Sequence, residues 1–175
     1  GGVWSGLDRF PGATMACWQQ RPESRGHVRA KSADPFDAPD IQPNYLVAEA
    51  DQRAIVSAMR LARAIAASEP FAQYVEKEAW PGPEAASDAE LLEHARQNGN
   101  TTYHVMGTCR MGPATDRRNV VNHRLEVHGL TGLRVADASV IPDMPAANTN
   151  VPALMIGERA ADFALGHPPV PASDV

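Results

Sequence analysis

The stretch YHVMGTCRMG (Tyr103–Gly112) decides how this chain is read, together with GLRVADASVIP (Gly132–Pro142) and NTNVPALMIGERAAD (Asn148–Asp162) that follow it. His104 comes after the loop residues Gly99, Asn100, Thr101 and Thr102, and before Gly107, Thr108 and an Arg110-Met111-Gly112 turn. Loops held by glycine turns are where chemistry concentrates, because a scaffold fixes them while their side chains stay accessible. Leu133–Ala136 reads as a short buried strand ending at Asp137 and small residues that let something approach the backbone. A helix follows the loop Asp143–Asn148, with Asn150 or Val151 as its cap and Pro152 tolerated in the first turn. Ala153, Leu154, Ile156, Ala160, Ala161 and Phe163 give that helix apolar surface as far as Leu165, and Gly166 and prolines end it. Strand end, loop and helix start therefore converge on one point. One imidazole, two glycine-bearing turns and a polar helix start suit acid/base or redox chemistry on a bound cofactor.

Upstream, Ala13–Gln20 and the alternating His27–Lys31 both read as strands, with RPESRG (Arg21–Gly26) as the turn of an antiparallel hairpin. Ser32–Asn44 carries three prolines and several aspartates or asparagines, which predicts a surface loop whose far end is pinned by Tyr45 and Leu46. Asp51 reads as the cap of a helix to about Ala67, with Ile55, Met59, Ala62 and Ala66 on the inner stripe and Arg53 and Arg60 outside. Ser87 followed by Glu90 forms a capping box for a second helix to Asn98, and Gly99 sits where a left-handed stop belongs.

The chain has 175 residues, 43% of them hydrophobic, which is enough for one ordinary domain or pieces of two. Its formal net charge is -5, and its Lys and Arg residues are scattered singly, so neither a nucleic acid nor an anionic membrane surface finds a footprint. No apolar run approaches the ~20 residues of a bilayer crossing. A soluble, cytoplasmic protein is the expectation. Cys17 and Cys109 rule out a disulfide framework and read as two ordinary thiols. The chain starts at Gly1 in loop-like sequence, which reads as a fragment entered in mid-stream.

The six histidines divide by context. His94 falls inside a helix, His27 in a strand and His167 in a proline-rich tail, all structural or solvated settings. His123 and His128 flank a strand-like Leu-Glu-Val and could join Cys109 on a metal, but the tight ligand spacings of zinc sites are missing, so no metal is expected. A hydrolytic triad of Ser139, His104 and Asp137 lacks the nucleophile elbow G-x-S-x-G, and no Walker loop is present. The Asn148-Thr149-Asn150 cluster supplies more polar side chains than one helix cap needs. The surplus amide is free to donate into the space the loop faces, beside a helix end that carries about half a positive charge.

These motifs resemble the C-terminal part of the glucose-methanol-choline flavoprotein oxidoreductases, most of all the bacterial choline-dehydrogenase-like alcohol dehydrogenases. RPESRGHVRAKSADP (Arg21–Pro35) and PNYL (Pro43–Leu46) extend the likeness over roughly Ala13 to Leu165. The resemblance implies an α+β fold: part of a substrate domain, a sheet flanked by helices, plus the C-terminal strand and helix of a Rossmann-type FAD domain. Residues 1–128 would belong to the substrate domain, 129–168 would return to the FAD domain, and 169–175 would be a tail. It implies FAD as cofactor, a small primary alcohol as substrate, His104 and Asn148 as the catalytic pair, and Tyr103, Asp137, Ala138, Thr149 and Asn150 against the cofactor. An imidazole titrates near neutrality and can take the hydroxyl proton, while an amide can hydrogen-bond the oxygen as its charge grows. The family's G-x-G-x-x-G fingerprint does not occur in this chain, so an N-terminal FAD-binding polypeptide or portion is the expected partner. The alternative is a binding or assembly module that keeps the fold without flavin; a visible spectrum separates the two.

Overall fold

The computed structural model describes residues 10–168. Two compact units meet in sequence between Thr102 and Tyr103. In the first, β1 (His27–Arg29) pairs antiparallel with β2 (Asp40–Gln42), and α1 (Glu49–Ala66), the single turn α2 (Glu69–Ala72) and α3 (Asp88–Asn98) follow. The register sets His27 opposite Gln42, Val28 opposite Ile41 and Arg29 opposite Asp40.

That pairing corrects the expected hairpin. Ala13–Gln20 has no regular structure, and the partner of β1 comes from the proline-rich segment read as loop. The cause is a carboxylate distant in sequence: Glu23 and Ser24 donate their backbone N–H groups to the two carboxylate oxygens of Asp51, at 2.9 and 2.8 Å. The RPES segment is thereby held against the start of α1 and cannot serve as a turn between strands. Gly26, read as turn chemistry, instead permits close approach, since a Cβ there would lie 2.1 Å from the Gln42 carbonyl oxygen. Asn44 completes the junction by donating to the Arg25 carbonyl at 2.9 Å.

Asp51 is therefore not the cap of α1. The helix starts at Glu49 behind Ala48, which offers no side-chain bond, and Asp51 sits in the first turn, 2% exposed. A carboxylate there gains from the helix dipole as well as from its two amide donors. Ile55, Met59, Ala62 and Ala66 are partly buried as the periodicity predicts, Val56 is buried beside them, and Arg53 and Arg60 are exposed. α1 packs on α3, whose Leu91 is fully buried. Arg63 ties the layer together, donating to Glu78 at 3.1 Å and to the carbonyls of Ala85 and Gly82 at 2.8 and 2.9 Å. The capping box of α3 forms as read, with Ser87 and Glu90 exchanging bonds. Gly99 caps its end in extended conformation (φ -65°, ψ 151°), not the left-handed one expected.

The second unit holds α4 (Asn150–Leu165) over an irregular network of loops and bridges. Val121, Leu125, Val140, Ile141 and Ile156 form its core, with Met106, Cys109, Met111, Ala160 and Phe163 packed around them. The expected buried strand Leu133–Ala136 is absent: Arg134 makes one isolated bridge to Glu126, and Leu133 is exposed. Val127 and Val135 donate to Leu133 and Leu125 at 3.0 Å each. Backbone groups are thus satisfied one contact at a time, without a regular ladder. Gly166 ends α4 in the left-handed conformation, φ 70°, as its position past the last apolar residue requires. No helix among the described residues is long and apolar enough to cross a membrane.

Candidate functional site

The His104 loop is fixed from below by backbone bonds to the segment before α4. Gly107, Cys109 and Met111 donate in turn to the carbonyls of Ala138, Ser139 and Val140, at 3.4, 2.9 and 2.9 Å. Alternate residues of the loop thus bind a short 3₁₀ turn, Ala138–Val140, whose cap Asp137 accepts from Ser139 N–H at 2.7 Å. Gly107 takes φ +84°, a conformation open to glycine and strained for a side chain. Tyr103, immediately before the histidine, takes φ +60°, rare for an aromatic residue and of a kind that clusters at functional sites.

α4 reaches the same place from above. Val140, Ile141 and Ile156 share the core, so the 3₁₀ turn that anchors the His104 loop also seats the helix. The cap position of α4 is Thr149, one residue before Asn150 and two before Val151, and its side chain makes no capping bond. Thr149 is 7% exposed, and its hydroxyl lies 3.5 Å from His104 Nδ1, at the long end of hydrogen bonding. A threonine at a helix start ordinarily turns its oxygen onto the first amides. Here the hydroxyl faces the imidazole instead, and the helix end keeps its amides unanswered by a cap.

His104 is half-buried, whereas Tyr103, Asn148 and Asn150 are exposed. Among the described residues neither the Asn148 nor the Asn150 side chain has a hydrogen-bond partner. Asp137 and Ala138 lie in the turn bonded to the His104 loop. The second unit therefore carries all seven residues read as catalytic or cofactor-binding. What the sequence missed is the Thr149–His104 contact, since a threonine between two asparagines at a helix start reads as a cap.

Several of the other histidines have hydrogen-bond partners of their own. His27 Nε2 meets Asp40 at 3.2 Å, His128 Nε2 lies 2.9 Å from the Gly112 carbonyl and His167 Nδ1 is 3.3 Å from Asp162. His123 and His128 line a cavity of about 450 Å³ with Met111, Gly112, Pro113 and Ala114. Among the described residues no three His, Cys, Asp or Glu side chains gather to hold a metal. Cys17 and Cys109 are both free, and burial pushes the Cys17 thiol above its ordinary value.

Residues 22–157 match the GMC oxidoreductase family, in its C-terminal part. The chain belongs to that family. It is 41% identical over 152 residues to the alcohol dehydrogenase [acceptor] of Pseudomonas putida, covering 87% of this chain and 27% of that protein. To the choline oxidase of Arthrobacter globiformis it is 45% identical over 161 residues, 91% of this chain and 28% of the oxidase. A solved structure of Aspergillus oryzae formate oxidase, described for its FAD modification, superimposes with a TM-score of 0.71 at 34% identity. That match covers 81% of this chain and 25% of the other. The chain thus spans little more than a quarter of the length of these relatives, which are named as an alcohol dehydrogenase and a choline oxidase.

Proposed function

We propose that this chain is the C-terminal segment of an FAD-dependent alcohol dehydrogenase or oxidase, acting on the CH–OH group of a primary alcohol with His104 as general base. The observation that carries the reading is the approach of the Thr149 hydroxyl to His104 Nδ1 at 3.5 Å, which joins the imidazole loop to the amino end of α4. A flavin suits this donor set. An uncapped helix end favours an electron-rich edge, and unpartnered amides at Asn148 and Asn150 flank it. In this reading Tyr103, Thr149 and Asn150 lie toward the flavin ring, and Asp137 and Ala138 toward the rest of the cofactor.

FAD, when bound, supplies the hydride acceptor. The chain's own residues manage the proton and the oxygen. In this reading Nδ1 keeps its proton toward Thr149, which leaves Nε2 to accept the alcohol's hydroxyl proton. Asn148 donates its amide to the same oxygen as that proton leaves, a preorganised donor of the kind that contributes about 3 kcal/mol.

The missing nucleotide cradle belongs, on this reading, to an N-terminal FAD-binding portion or polypeptide. Residues 129–168 form the return to that Rossmann-type domain and 1–128 contribute to the substrate domain; the expected tail, 169–175, lies outside the described residues. The surface of α4 supports such a neighbour. Val151, Leu154 and Met155 stand at i, i+3 and i+4, 70, 64 and 59% exposed, while Ile156, Ala160 and Phe163 face the core. A helix apolar on both sides is built to lie between two layers.

The test is anaerobic flavin reduction by alcohol in the intact protein. His104→Ala should retain FAD and lose roughly 10²- to 10⁴-fold in reduction rate, the span of general acid–base catalysis. Unchanged reduction would remove His104 from the role.

A further inference from the structure

We propose that Thr149 is a positioning residue for His104, its hydroxyl accepting from Nδ1–H and so holding the imidazole in the tautomer whose Nε2 lone pair is free. The inference rests on the reading of His104 as base, but its geometry stands apart from it. Three observations combine. Thr149 occupies the cap position of α4 without capping it; it is 7% exposed, so its hydroxyl has little water to turn to; and the atom it approaches is His104 Nδ1, at 3.5 Å. A buried hydroxyl that forgoes its helix has to find a partner elsewhere, because an unanswered one keeps its full desolvation cost.

The consequence is directional. A neutral imidazole carries one proton, and whichever nitrogen donates leaves the other as acceptor. Holding the proton on Nδ1 makes Nε2 the base and fixes the plane in which it presents its lone pair. The ring then takes the substrate's hydroxyl proton on Nε2 while keeping the Nδ1–H bond, so the cation formed has both protons accounted for. Both ends of the contact sit on one core: the His104 loop through Gly107 and Ala138, the helix through Ile156. Loss of the hydroxyl frees the ring to rotate or to exchange tautomers, which disturbs orientation more than binding.

The pair Thr149→Val and Thr149→Ser tests this in the intact, flavin-loaded protein. Valine keeps the shape and removes the oxygen; serine keeps the oxygen. The ¹⁵N chemical shifts of the His104 ring should show the Nδ1–H form in the parent and in T149S, and a mixture of tautomers in T149V. The rate of flavin reduction should fall roughly tenfold in T149V with KM little changed, and recover in T149S. An unaltered tautomer in T149V overturns the proposal. So does a T149S variant as impaired as T149V, which would assign the loss to packing. His104→Ala separates this from the broader reading: if that variant reduces flavin normally, the base assignment fails while the tautomer shift still reports on Thr149.

Discussion

Asp51→Asn is the substitution with the sharpest expected effect on the first unit. In the parent protein each carboxylate oxygen takes one backbone donor, Glu23 N–H at 2.9 Å and Ser24 N–H at 2.8 Å, and the side chain is buried. Asparagine has the same shape but replaces one oxygen with NH₂, so one amide meets a donor instead of an acceptor and the other loses its charged partner. A hydrogen bond to a charged group contributes about 1.5–3 kcal/mol, so the turn should be weakened by roughly 2–3 kcal/mol. At ~1.4 kcal/mol per factor of ten, amide exchange at Glu23 and Ser24 should accelerate roughly 30- to 150-fold, with the Ile156 amide unchanged as an internal control. The pH dependence adds a second reading. Burial pushes the Asp51 carboxyl upward, but the Ser24 side chain, the amides of Glu23 and Ser24 and the Gln19 side chain outweigh it, leaving the group below its ordinary 3.8. A carboxyl depressed in the folded state stabilises fully above its unfolded value and loses that contribution as pH falls through the folded one. The difference between parent and D51N should therefore persist down to pH 3.8 and close only below it. Exchange at Glu23 and Ser24 within threefold of the parent would refute the account, as would a difference that closes well above pH 3.8.

Gly26→Ala should disrupt the β1–β2 junction, because its Cβ would lie 2.1 Å from the Gln42 carbonyl oxygen and 2.7 Å from that of Pro43. Backbone on both sides has no rotamer with which to yield, so a loss of about 2 kcal/mol or more is expected from urea denaturation, and an unshifted midpoint would count against the close approach. Asp116 is held down to about 2 by side-chain and backbone hydrogen bonds from Arg118, with Arg110 adding its charge. In Arg118→Ala its NMR titration should move up toward 3.8; a midpoint unmoved from about 2 would assign the depression to something else.

Elements whose signals are local were legible from residues alone. The capping box at Ser87 and Glu90 and the end of α4 at Gly166 involve neighbours within a turn, so sequence spacing specifies them, although the left-handed stop expected at Gly99 is extended instead. The apolar stripe of α1 was legible for the same reason. The β1–β2 pairing was not: strand alternation in His27–Lys31 names a strand but not its partner, and the buried carboxylate that excludes the hairpin lies 27 residues from Ser24. Leu133–Ala136 carried a strand's composition, yet its backbone bonds are spent singly on Leu125 and Val127.

The sequence by itself determined the family and the residue types of the candidate site, because a histidine between glycine turns and asparagines at a helix start are patterns written along the chain. Only the tertiary structure decided that Thr149 turns its hydroxyl from the helix to His104. Residues 45 positions apart meet there because the His104 loop and α4 share the core around Val140 and Ile141, and no local spacing encodes a contact made by shared packing.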